Sequence, residues 1–132
     1  MPDPTKESTP PEKLSTGKIL LIAKDLTLAS GIHAAAREYG QPVKQQLSFR
    51  AEHFDSLVQS YRFSLCIVDL TANPQNIAAI GEWCRRQGIP VVGYGPHVAT
   101  DLLRTARDSG FGDVIPNSQL HGRIAEWLKK EA

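Results

Sequence analysis

The chain has 132 residues, 41% of them hydrophobic, which bounds it to one compact domain with a full-sized core. Fifteen Lys and Arg against fourteen Asp and Glu leave a formal charge of +1, so a general electrostatic attraction to nucleic acid or anionic membrane is not expected. The two cysteines, Cys66 in an apolar run and Cys84 in a helical pattern, lack the spacing of a disulfide framework or zinc site and read as reduced, packed thiols.

Residues 1–16, MPDPTKESTPPEKLST, hold four prolines, several charges and almost no apolar side chains. They read as a disordered tail and cannot supply the apolar segment of a secretory signal. No later stretch approaches the roughly 18 apolar residues of a membrane span, so the cytoplasm is the expected compartment. The remainder, 17–132, is read as one domain.

From Lys18 onward, apolar runs of strand length alternate with stretches of helical period, as a parallel sheet with crossover helices requires. The first run, Ile19 to Ala23, is continuously apolar and suits a strand covered on both faces. Leu28, Ile32, Ala35 and Tyr39 then recur at helical spacing up to Gly40, a left-handed helix end. Val43 to Ser48 reads as a second strand, and Lys44, Gln45 and Gln46 place it at a sheet edge. Phe54, Leu57, Val58 and Tyr61 form the next helical face. Ser64 to Leu70, SLCIVDL, is the clearest buried strand and delivers Asp69 to its end. Asn73 is expected to cap a helix that begins at Pro74, uses Ile77, Ile80 and Cys84 as its inner face, and stops at Gly88. Pro90 to Gly93 reads as the fourth strand and the GYGP segment as a turn. A helix opened by Thr100 or Asp101 runs to Gly110. Asp113 to Ile115 is the fifth strand, and Ser118 is expected to cap a last helix with Leu120, Ile124, Trp127 and Leu128 on its buried stripe. Five such units, with right-handed crossovers, predict a three-layer α/β/α doubly wound sheet in the flavodoxin-like order 2-1-3-4-5.

Ligands in such folds meet the protein beyond the carboxyl ends of the strands. The residues to weigh there are Ala23, Lys24 and Asp25, then Asp69, then Gly93 to His97, then Pro116, Asn117 and Ser118. Asp69 has two readings, a cap for the following turn through Thr71 and a functional carboxylate. Asp25 reads as a loop or cap residue. His97 lacks an identifiable partner for acid–base work, and His33, His53 and His121 lack ligand spacing.

With these residues in place, the chain resembles the receiver domains of bacterial two-component response regulators from Lys18 to Ala132. The resemblance implies an acidic pair holding magnesium after strand one, a phosphate-accepting aspartate ending strand three, a Ser or Thr ending strand four and a Lys ending strand five. Asp69 matches the acceptor position. The acidic pair falls on Ala23 and Lys24 with Asp25 one place late, the Ser/Thr position on Gly95, and the lysine position on Asn117. A hard divalent cation wants several oxygen ligands, and phosphoryl transfer wants positive charge on the equatorial oxygens. The expectation is therefore a degenerate receiver with no cofactor, in which Lys24 leans toward Asp69 in place of the metal. It is read as a non-catalytic regulatory module for a protein partner such as a signalling kinase or regulator, or for a second copy. The resemblance implies a partner face from helix four to helix five, with Arg104 and Arg107 and the segment Ser118 to Leu128. Because the sequence ends with the fifth helix, docking rather than transcriptional control is expected. Two rivals stand beside it: a phosphoaccepting single-domain regulator using Asp69, Asp25 and Mg2+, and a flavodoxin-like domain binding a small molecule at Gly93 to His97.

Overall fold

A computed structural model describes residues 17–131; the expected tail, 1–16, lies outside the described residues. Five strands pair in parallel throughout, in the order β2-β1-β3-β4-β5: β1 (Lys18–Ile22), β2 (Val43–Gln46), β3 (Phe63–Asp69), β4 (Val91–Gly95) and β5 (Asp113–Pro116). The connecting helices are α1 (Leu26–Glu38), α2 (Ala51–Ser60), α3 (Ile77–Gln87), α4 (Thr100–Asp108) and α5 (Leu120–Glu131). The sheet order is the one the alternation of patterns predicts.

Strand alternation sorts the core into two layers. Leu20, Ile22, Cys66 and Val68 pack with α2, α3 and α4, whereas Ile19, Leu21, Ile67, Val92 and Tyr94 pack with α1 and α5. Near the start of β3 the register jumps, since Lys18 pairs with Phe63 but Ile19 with Leu65. The skipped Ser64 is a bulge that reverses the parity and sends Phe63 to the first layer and Leu65 to the second. Gly17 lies against it so closely that a Cβ there would stand 2.6 Å from Ser64 Cβ. The polar β2 stays half-buried at an edge, where no second helix layer demands apolar side chains on both faces.

Three local expectations are corrected. The GYG segment is strand, with Tyr94 in register with Asp69 and Gly95 with Pro116. Its glycines answer to packing: a Cβ on Gly93 would meet Leu70 and the Phe111 ring at 3.1 Å. Asn73 does not cap α3, which begins three residues after Pro74 without a side-chain cap. Its Oδ1 instead accepts the Phe49 N–H at 3.0 Å, a contact 24 residues away that pins the β2–α2 loop to the β3–α3 loop. Ser118 sits inside a 3-10 turn (Asn117–Gln119) with no capping bond, and α4 likewise starts without one. Gly88 does end α3 in the left-handed region, at φ +70.

Candidate functional site

The carboxyl ends of β1, β3 and β4 bring Asp25, Asp69 and Tyr94 into one neighbourhood. Asp69 closes β3, after which the chain turns at once into a 3-10 turn (Leu70–Ala72). That turn leaves an orphan amide, and the Asp69 carboxylate takes it: Oδ1 accepts from Thr71 N at 3.0 Å and from Thr71 Oγ1 at 2.8 Å. The residue is buried, with 4% of its surface exposed. Asp25 plays the matching part at the head of α1, where Oδ1 accepts the Thr27 N–H at 2.8 Å. Both acids therefore terminate their own strand-to-helix turns.

Lys24 is exposed, and no ion pair among the described residues joins it to Asp69. The expected lean of its ammonium toward the carboxylate is corrected. A long, strongly hydrated side chain gains little by giving up water for a carboxylate that two hydrogen bonds already engage. Gly95 is buried at the end of β4, and a Cβ built on it points at Leu70 and Leu103, 3.6–3.8 Å away, toward the α3 and α4 side. Asn117 starts the turn after β5, and its Oδ1 is buried without a hydrogen-bond partner.

Tyr94 is the residue the sequence reading passed over. It is fully buried in the α1/α5 layer, its hydroxyl makes no hydrogen bond, and it lies beside both acids. Burial first, then the negative charges of Asp69 and Asp25, push its phenol well above the ordinary value and keep it protonated. The signal available was alternation: a tyrosine one residue before a strand end must face a core layer near the mouth.

Asp25 and Asp69 each spend an oxygen on a turn, and no group of three or more His, Cys, Asp or Glu among the described residues can hold a metal ion. The remaining sequence candidates are dispersed. Arg104 pairs with Asp101 at 3.3 Å on α4, and Arg107 donates to the Val114 carbonyl at 3.3 Å. His33 and His53 bond to Gln45 and Gln46 on opposite sides of β2. Cys66 and Cys84 are buried in mutual contact, and the Cys84 hydrogen bond with burial raises the Cys66 thiol well above its usual range. A groove of about 450 Å3 lies between α1 and α5, and a cleft of about 610 Å3 lies at the amino ends of β4 and β5. Neither is lined by the stretch Gly93 to His97.

Solved structures share this fold. The receiver domain of NtrX from Brucella abortus superposes with a TM-score of 0.69 at 15% identity, over 86% of this chain and 97% of that one. The fold is that of a response-regulator receiver. HP1043, an orphan response regulator of H. pylori, matches with a TM-score of 0.63 at 16% identity, over 89% of this chain and 94% of that one. An atypical orphan response regulator, whose structure revealed a phosphorylation-independent regulatory mechanism, matches with a TM-score of 0.61 at 18% identity, over 85% of this chain and 95% of that one. No protein-family model matches the sequence, and no curated protein does. At these identities the likeness to receivers is one of fold, and the site must be argued from its own residues.

Proposed function

We propose that this chain is a receiver-fold signalling module that acts by docking to a protein partner and carries out no phosphoryl transfer or other catalysis of its own. The observation that carries the reading is that no cation among the described residues pairs with the Asp69 carboxylate, whose Oδ1 is taken by Thr71. A carboxylate attacking phosphorus needs positive charge nearby to offset the negative charge on the transferred group's oxygens. Here Lys24 is exposed, and neither Asn117, read as the counterpart of a receiver's lysine, nor Gly95 supplies a positive charge or a hydroxyl. The phosphorylation-independent neighbour in fold is a precedent for regulation without that chemistry. No helix among the described residues is long and apolar enough to cross a membrane, in keeping with a cytoplasmic role.

The test is incubation with Mg2+ and acetyl phosphate, or with Mg2+ and beryllofluoride, read by intact mass and by amide shifts around residues 69–73. Unchanged mass and unchanged spectra are expected. An adduct on Asp69 would overturn the reading and make the chain a phosphoaccepting single-domain regulator.

A further inference from the structure

The amino edge of the sheet, opposite the mouth, gathers three cations around one tyrosine. Lys18 opens β1, and Lys44 of β2 pairs in register with Leu20, two residues further along β1. By strand alternation both lysines face the same layer as Leu20, the one covered by α2. Tyr61 caps the carboxyl end of α2 and packs against that layer. Its ring meets both side chains: Lys18 Nζ stands 5.2 Å and Lys44 Nζ 5.3 Å from the centroid, so the two ammoniums are no more than about 10.5 Å apart. Arg62 follows, exposed, with its carbonyl accepting the Lys18 backbone N–H at 2.7 Å.

This corner lacks counter-charge. None of the three cations has an ion pair among the described residues. The acids of the neighbouring elements lie elsewhere. Glu52 is in the first turn of α2, about 13 Å of helix away from Tyr61, and Asp55 accepts the Trp83 indole N–H at 2.9 Å. Asp25 and Asp69 stand at the opposite end of the sheet, and Glu38 lines the α1/α5 groove on the other face. The carboxyl end of α2 supplies about half a negative charge, which three cations exceed. The phenol face attracts and orients the two ammoniums without neutralising them.

We propose that this corner docks an extended acidic segment of a protein partner, whose carboxylates bridge Lys18 and Lys44 and reach Arg62. Alternate residues of an extended chain point to one side about 7 Å apart, a spacing that falls within the reach the shared ring sets for the two ammoniums. Half-buried lysines held on one ring also lose less freedom on binding than solvated ones, which favours acids at alternate positions over a single acid. Three cations on a chain of formal charge +1 are too small a footprint for duplex DNA, whose binding rests on many phosphate contacts. The inference rests on the docking reading above, gives the chemistry of the partner, and places the contact at the amino edge rather than at Arg104 and Arg107.

The experiment titrates the 15N-labelled full chain with a synthetic peptide of alternating glutamate and serine, and with matched peptides carrying glutamine or lysine in place of glutamate. The glutamate peptide is expected to bind saturably, to shift the amides of residues 18, 44, 61 and 62, and to weaken at least about threefold when salt is raised from about 0.05 to about 0.15 M. Lys44→Gln with Arg62→Gln is expected to weaken binding at least about tenfold with an unchanged circular dichroism spectrum. Tyr61→Phe, which keeps the ring, is expected to leave binding unchanged. Lys44→Glu with Arg62→Glu is expected to transfer the preference to the lysine peptide. The proposal falls if the glutamate peptide does not bind, if the glutamine peptide binds equally, or if the shifts gather at residues 24–25 and 69–73 or on α4, β5 and α5. It also falls if a DNA duplex displaces the peptide at equal charge concentration. The same holds if Asp3→Asn/Glu7→Gln/Glu12→Gln by itself moves the amides of 18, 44, 61 and 62, which makes the chain's own acids the occupant. Intact mass after Mg2+ and acetyl phosphate separates the two readings. An Asp69 adduct with peptide binding intact removes the silence of Asp69 and keeps the corner, whereas an unmodified Asp69 without peptide binding does the reverse.

Discussion

Replacing Tyr94 by Phe is expected to stabilise the protein, against the usual sign for a buried tyrosine. A buried hydroxyl that makes a hydrogen bond is worth keeping, but one without a partner retains the cost of leaving water, about 1–3 kcal/mol. The Tyr94 hydroxyl is in the second condition, fully enclosed and unbonded. Its proton stays in place, because burial and the Asp69 and Asp25 charges all oppose ionisation, so no phenolate gains from the change. Phe fills the same ring volume and leaves only the space of one oxygen, a loss of about 0.5 kcal/mol. The net expectation is a gain of about 1–2 kcal/mol, which at a urea dependence of about 2 kcal/mol per molar raises the midpoint by about 0.5–1 M. Urea unfolding followed by the fluorescence of Trp83 and Trp127, both buried, measures it. A midpoint that falls instead would refute the reasoning. It would mean that the hydroxyl is bonded in solution and that the mouth of the sheet is a closed polar network.

Two further substitutions and one pH series follow from the packing and the charges. Gly81→Ala is expected to cost about 1–3 kcal/mol, since its Cβ would collide with the Ser109 carbonyl oxygen where α3 crosses α4. Gly31→Ala, with nothing within 4 Å of the added carbon in α1, is expected to gain about 0.5–1 kcal/mol, and paired thermal melts compare the two. Burial pushes the Asp113 carboxyl upward, but hydrogen bonds from Arg123 and Trp127 and the Arg123 charge outweigh it and hold the group below its ordinary value of 3.8. Its contribution to stability is then complete above that value and disappears as the pH falls through the lower, folded-state value. Asp113→Asn is expected to lower stability at neutral pH and to flatten the acid limb, and denaturant midpoints between about pH 2 and 7 test the convergence of the two proteins at the acid end.

The particular elements show where pattern is enough and where it is not. Ile19 to Ala23 and the SLCIVDL run are strands because continuous apolar stretches of that length need cover on both faces, and burial bears this out. The polar VKQQ segment announces its own edge position. Asp69 was legible as a carboxylate at the end of the central strand, and its bond to Thr71 as one of two uses. By contrast, β4 runs on through Gly93 and Gly95, because those glycines fit beneath Leu70 and Phe111, neighbours that only folding supplies. The cap expected of Asn73 was displaced by Phe49, since a half-buried amide 24 residues away competes better for that oxygen than a helix start open to water.

Sequence by itself determined the sheet order and the acid at the centre of the mouth, both of which follow from local periodicity and chain connectivity. Tertiary structure decided the exposure of Lys24 and the burial of the Tyr94 hydroxyl. Those depend on which loops meet at the strand ends, and the energies that place them are differences between water and neighbours far along the chain.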